Sequence, residues 1–187
     1  TRLLDITTNP LVALYFACEN DAVDGKLFRF EVQTSDIKYF DSDAVSVVSN
    51  IAKRPIDFSI EDLRELDRKE FNSEEEIQYL LHEIKYEKPH FQNVIDSKDI
   101  ERVFCVKPMF DNPRIIRQSG AFFLYGINGN KSQPASLNFS YKVYIINKAQ
   151  KRKIRKQLEA LGIDKSTLFP EVEHVAEHIK DKYHLPK

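Results

Sequence analysis

The sequence predicts an α+β fold: a mostly antiparallel sheet with packed helices, in a single domain. Three observations carry that expectation. The strand-rich stretch 102–146 has no helical pattern inside it, which argues against regular βαβ crossovers. Helical periodicity lies on either side of that stretch, at 73–87 and 148–161. The 187 residues include 13 Phe and 8 Tyr and are 42% hydrophobic, enough to build one sizeable core.

The elements follow in order. Thr8-Asn9-Pro10 reads as a helix start, with a small polar cap and Pro at the first helical position. The run Leu11 to Cys18 is apolar on every side, so that short helix is expected to be buried all round, including Leu11, Leu14, Tyr15 and Cys18. Asp24-Gly25 then turns the chain into an alternating strand near 26–32. Asp41-Ser42-Asp43 caps a short helix through Ile51. Residues 59–88 read as helical and acidic, a candidate insertion, with Ser73 and Glu76 as a capping box. Strands are expected near 102–107, 121–126 and 141–146, with Gly126, Gly129, Asn130 and Pro134 marking turns. Asn147 caps a basic helix that Gly162 closes at its C′ position. Pro170 opens a last helix, 170–183.

The formal net charge of −1 gives the whole molecule no global attraction to nucleic acid or to an anionic membrane. No apolar run reaches the roughly 18 residues of a membrane span, so no membrane partner is expected. No signal peptide is visible, and a cytoplasmic location is expected. Cys18 and Cys105 both sit in apolar runs and read as reduced core thiols. The chain begins at Thr1, so either residues were removed or the protein's N-terminus lies outside it.

Two patterns invite a functional reading and are set aside. His174-Val175-Ala176-Glu177-His178 matches H-x-x-E-H, but Val172, Val175, Ala176, Ile179 and Tyr183 form the apolar stripe and turn both histidines toward water. No metal site is expected. Lys148, Lys151, Arg152, Lys153, Arg155 and Lys156 form a basic patch over 148–156. Nucleic acid is left open as a partner there. A solvated face, with Ile154, Leu158 and Leu161 inward, is the simpler reading.

Three segments resemble landmarks of the FRG domain family. They are Thr1-Arg2-Leu3-Leu4-Asp5 running into Asn9 to Ala17, then Asn112 to Phe122, then Leu161-Gly162-Ile163 with Ser166 to Glu171. Their order spans nearly the whole chain. The family's Phe-Arg-Gly motif precedes the Thr-Arg-Leu-Leu-Asp segment and is not among these residues, so the chain resembles the C-terminal two-thirds or so of such a domain. The resemblance implies a bacterial or phage-associated cytoplasmic protein. It assigns no reaction.

The candidate ligand-binding residues are Arg2, Asp5, Arg114 and Gln118, expected in one polar cleft. Arg2 and Asp5 precede an apolar helix, where an unpaired charge is costly, and each arginine should find a carboxylate, backbone carbonyls or an anion. Asp5 is the natural partner for Arg2, and with Thr7 or Thr8 the pair is expected to form a network that holds the helix start. Arg114, Arg117 and Gln118 stand before the strand at 121–126, with Gly120 permitting close backbone approach. Two functions remain open. One is a nucleotide-handling enzyme of ADP-ribosyltransferase type, with NAD as substrate rather than resident cofactor and no catalytic residue assigned. The other is a non-catalytic ligand-binding or sensor module in a phage-related or defence system.

Overall fold

The computed structural model describes residues 2–171. The expected helix at 170–183 and the His174/His178 pair therefore lie outside the described residues, apart from Pro170 and Glu171. The order is β1 (Leu3–Thr7), α1 (Pro10–Ala17), β2 (Gly25–Glu31), β3 (Ile37–Tyr39), α2 (Asp43–Asn50), α3 (Arg68–Ser73), α4 (Glu75–Glu87) and α5 (Ser97–Ile100). There follow β4 (Val103–Lys107), α6 (Pro113–Arg117), β5 (Gly120–Tyr125), β6 (Ile127–Asn128), β7 (Asn130–Pro134), β8 (Ser140–Ile146), α7 (Lys148–Ala160) and α8 (Lys165–Leu168). The fold is α+β, as the sequence predicts. Its contacts fall into two compact units, each assembled from three separate stretches.

The first unit comprises Thr1–Asp5, Val32–Pro108 and Phe122–Phe139. A four-stranded sheet has the order β1-β5-β4-β3. Strand β4 runs antiparallel to β5, with Cys105 opposite Phe123, and parallel to β3, with Cys105 opposite Ile37. Val103 to Val106 are all buried, as befits a central strand with both faces covered. The core of this unit joins Phe104 and Leu124 of the sheet to Val48 of α2, Phe71 of α3, and Ile77, Leu80 and Ile84 of α4. The last three recur at i, i+3 and i+7, the apolar stripe of an amphipathic helix.

Residues 59–88 are not continuously helical. Ser59 bridges Asn130, and two short helices follow. The capping box expected at Ser73 and Glu76 lies instead at Asp67 and Glu70, where Asp67 Oδ1 accepts from the Glu70 amide at 2.8 Å. Ser73 is the last residue of α3, and its hydroxyl donates back to the Lys69 carbonyl at 2.9 Å. A serine already bonded one turn back does not cap the next helix. Gly129, at φ +76°, turns β6 into β7, a hairpin within the stretch expected only as turns.

The second unit comprises Ile6–Glu31, Met109–Ala121 and Ser140–Lys187. Strands β2 and β8 pair antiparallel over their whole length, Gly25 opposite Ile146 and Glu31 opposite Ser140. Helix α1 is capped by Asn9, whose side chain accepts from the Leu11 amide at 3.0 Å. It packs one face only. Val12 and Tyr15 are buried with Leu158 of α7 and with Leu168 and Phe169, and Cys18 is also buried. Leu11 and Phe16 keep 37% and 38% exposure, and Leu14 is half-buried, so the expected all-round burial is corrected. Eight residues make barely two turns, and neighbours on one side leave the opposite side open.

Helix α7 ends in a Schellman motif. The Gly162 amide donates to the Glu159 carbonyl and the Ile163 amide to that of Leu158, with Gly162 at φ +77°. Leu161, expected inward, is 66% exposed because that turn swings it outward, and Ile163 packs inward in its place. Among the described residues no helix is long and apolar enough to cross a membrane.

Candidate functional site

Arg2 and Asp5 belong to the first unit, Arg114 and Gln118 to the second. The Arg2 guanidinium meets backbone oxygens. Nη1 donates to the carbonyls of Tyr125 and Gly126 at 3.5 and 3.3 Å, and Nη2 to that of Lys131 at 3.3 Å. Burial pulls the Arg2 pKa down. The expected ion pair with Asp5 is not formed. Asp5 points into solvent from β1, and two carbonyls at the β5–β6 junction with one on β7 take the place of the carboxylate.

Thr7 and Thr8 hold the start of α1 without Arg2 or Asp5. Thr7 Oγ1 donates to the Gln118 carbonyl at 2.7 Å and accepts from the Asn9 amide at 3.0 Å. The Thr8 amide donates to the Ser119 carbonyl at 3.0 Å. Ser119 stands at φ +47°, in the left-handed region that costs a non-glycine residue about 1 kcal/mol or more. That kink joins α6 to β5 and turns two carbonyls toward Thr7 and Thr8.

Helix α6 is fastened to the end of α8. Gln118 Nε2 donates to the Leu168 carbonyl at 3.1 Å and Arg117 Nη1 to the Thr167 carbonyl at 3.3 Å. Gln118 is thus a brace. Arg114 differs: its guanidinium lies 4.9 Å from the Phe169 ring centroid, and among the described residues it pairs with no carboxylate. Phe16 meets Phe169 edge to face at 6.0 Å and remains partly exposed. The second unit therefore presents an arginine fork on an aromatic ring, with a further exposed ring alongside. Such a surface can hold an anion by bidentate hydrogen bonds and a flat ring by stacking. Sequence reasoning missed Phe16 and Phe169 as site residues. The aromatic in Leu168-Phe169-Pro170 was the available signal.

The basic helix is partly committed within its own unit. Lys151 is buried and donates to the Asn20 carbonyl at 2.8 Å. Arg155 forks onto both carboxylate oxygens of Asp21 at 2.7 Å and also donates to the Cys18 carbonyl. These cations meet the carbonyl end of α1, where positive charge is favourable. Lys148, Lys153 and Lys156 stay exposed.

Burial pushes the Cys18 and Cys105 thiols up, which makes them poor nucleophiles. No group of three or more His, Cys, Asp or Glu among the described residues could hold a metal ion.

The family model of the FRG domain matches residues 1–26, which supports the resemblance at family level. The match does not extend over the rest of the chain. The segments at 112–122 and 161–171 fall outside it, and their Asn-Pro and Leu-Gly pairs are start and stop signals common to many helices. No curated protein and no solved structure matches the chain.

Proposed function

We propose that this chain, which carries FRG-domain sequence over residues 1–26, binds a nucleotide-class anion through its second unit, with Arg114 as the principal contact. One observation carries the reading: an exposed guanidinium lies over Phe169 without a carboxylate partner among the described residues. A surface arginine fixed against a ring has less side-chain freedom to lose on binding an anion. Phe16 supplies a partly exposed aromatic edge for a base, and Gln118 and Arg117 fix the helix that carries Arg114.

NAD is the first ligand to test, because it joins two flat rings through a pyrophosphate. The reading as a binding module needs only this surface. The reading as an ADP-ribosyltransferase-like enzyme adds transfer of ADP-ribose from NAD to a nucleophile or to water, the new bond at the ribose carbon replacing the one to nicotinamide, which leaves. Thermal unfolding with NAD, AMP, nicotinamide and inorganic phosphate tests the binding, since a ligand of the native state raises the midpoint. NAD and AMP are expected to raise it saturably, and nicotinamide alone is not. No shift with any nucleotide contradicts the proposal. Nicotinamide release, followed chromatographically, separates enzyme from module.

A further inference from the structure

We infer that β8 pairs edge to edge with β8 of a second copy of this chain, antiparallel about a twofold axis at Val143, to give a sheet in the order β2-β8-β8-β2. Among the described residues β8 pairs with β2 alone, so its other edge presents unpaired backbone donors and acceptors. Six of its seven residues are exposed. Tyr141, Val143, Tyr144 and Ile145 keep 56%, 43%, 43% and 60% of their surface. Edge strands are ordinarily guarded by proline, a bulge or several charges. Strand β8 has no proline, its register with β2 is unbroken, and Lys142 is its one charge. The β2 edge differs. It carries Lys26, Arg29 and Glu31, the last two in an ion pair at 3.1 Å.

The sequence of β8 suits a second copy as the occupant. Outward-facing backbone groups lie on alternate residues, so a twofold axis between two such strands passes through a residue. An axis at Val143 sets Tyr141 opposite Ile145 of the second copy, Lys142 opposite its Tyr144, and Val143 opposite its Val143. Aromatic and β-branched residues facing each other are cross-strand pairs that stabilise a sheet. Lys142 gains a ring beside its ammonium. An axis at Lys142 would instead set lysine against lysine, on a side chain that already stands opposite Arg29 across β2. An axis at Tyr144 would carry Ser140 and Tyr141 past the end of the other strand. The four apolar side chains of β8 leave about 400 Å² open per copy, taking about 200 Å² for a whole aromatic side chain and somewhat less for valine and isoleucine. With the backbone edges, two copies approach about 1,000 Å², the small end of specific interfaces, so a micromolar dimer is expected.

Sedimentation equilibrium of the full chain tests this, with circular dichroism to check the folding of each variant. The wild-type mass is expected to rise toward twice the chain mass over about 1–100 μM. Tyr144→Lys sets a lysine opposite Lys142 and is expected to weaken association about tenfold or more. Tyr144→Glu sets a carboxylate there and is expected to keep or tighten it. Lys142→Glu combined with Tyr144→Lys restores opposite charges and is expected to recover the dimer. A wild type that stays monomeric, its edge left to a different partner, overturns the inference. Growth past a dimer overturns it as well, because a twofold pairing closes. So does equal weakening by both Tyr144 substitutions, which would place the contact elsewhere. Should Tyr144→Lys fail to fold, the wild-type mass and Tyr144→Glu decide, and dissociation of Tyr144→Glu overturns the inference.

Discussion

Lys151 Nζ donates to the Asn20 carbonyl at 2.8 Å from a side chain with 1% exposure. A lysine on the expected solvent face of a basic helix is thus a buried clasp between α7 and the loop that follows α1. Lys151→Ala is expected to cost about 2–4 kcal/mol, because it leaves a void and an orphaned carbonyl. Lys151→Met keeps the volume and removes the buried charge, so it should cost less. Urea denaturation of the two variants ranks them, and equal losses would contradict the clasp.

The same loop makes stability respond to acid. Hydrogen bonding from Arg155 lowers the Asp21 pKa from 3.8 to about 2. A carboxylate depressed on folding contributes stability that is complete above its unfolded value and is lost as pH falls through its folded value. Unfolding measured from pH 5 to pH 2 should therefore show a slope between about 4 and 2 that is flatter in Asp21→Asn. An unchanged slope would place the acid sensitivity elsewhere.

Two glycines separate space from backbone conformation. A Cβ on Gly25 would stand 2.1 Å from the Ala17 carbonyl oxygen, whereas one on Gly162 would meet nothing within 4 Å. Gly162→Ala should cost about 1 kcal/mol, from its positive φ alone. Gly25→Ala forces β2 off α1 and should cost about 2–3 kcal/mol. Thermal unfolding of both variants checks the order.

Arg2 and Asp5 should behave differently from a paired arginine and carboxylate. Asp5→Ala removes an exposed side chain and should change stability by less than about 0.5 kcal/mol. Arg2→Ala strips three carbonyls of a donor and should cost about 1–3 kcal/mol. A double-mutant cycle is expected to show no coupling between them.

These residues also mark what the sequence could reveal. Strands β2, β4, β5 and β8 were legible because their apolar runs and alternation are local signals, as were the Asn9 and Asn147 caps and the Gly162 stop. Strand β1 was not, since Leu3-Leu4-Asp5-Ile6 has no alternation and pairs with a strand more than a hundred residues on. The Ser73 box was misread because two helices abut there and Asp67 makes the better cap. Lys151 and Arg2 were illegible for one reason: their partners are backbone carbonyls 131 and 123 to 129 residues away, and a carbonyl carries no sequence signature. At the candidate site, Arg114 and Gln118 stood out as polar groups before an apolar strand. Phe16 lay in a run that read as core.

Calorimetric titration of NAD into wild type and Arg114→Ala tests the central claim most directly. Arg114 is exposed and its one side-chain contact is the Phe169 ring, so the variant should fold with a stability loss of no more than about 1 kcal/mol. Loss of a charge-assisted fork onto a phosphate is expected to weaken binding about 10- to 150-fold, with Arg114→Lys between the two. Equal NAD affinity in wild type and a folded Arg114→Ala would contradict the account.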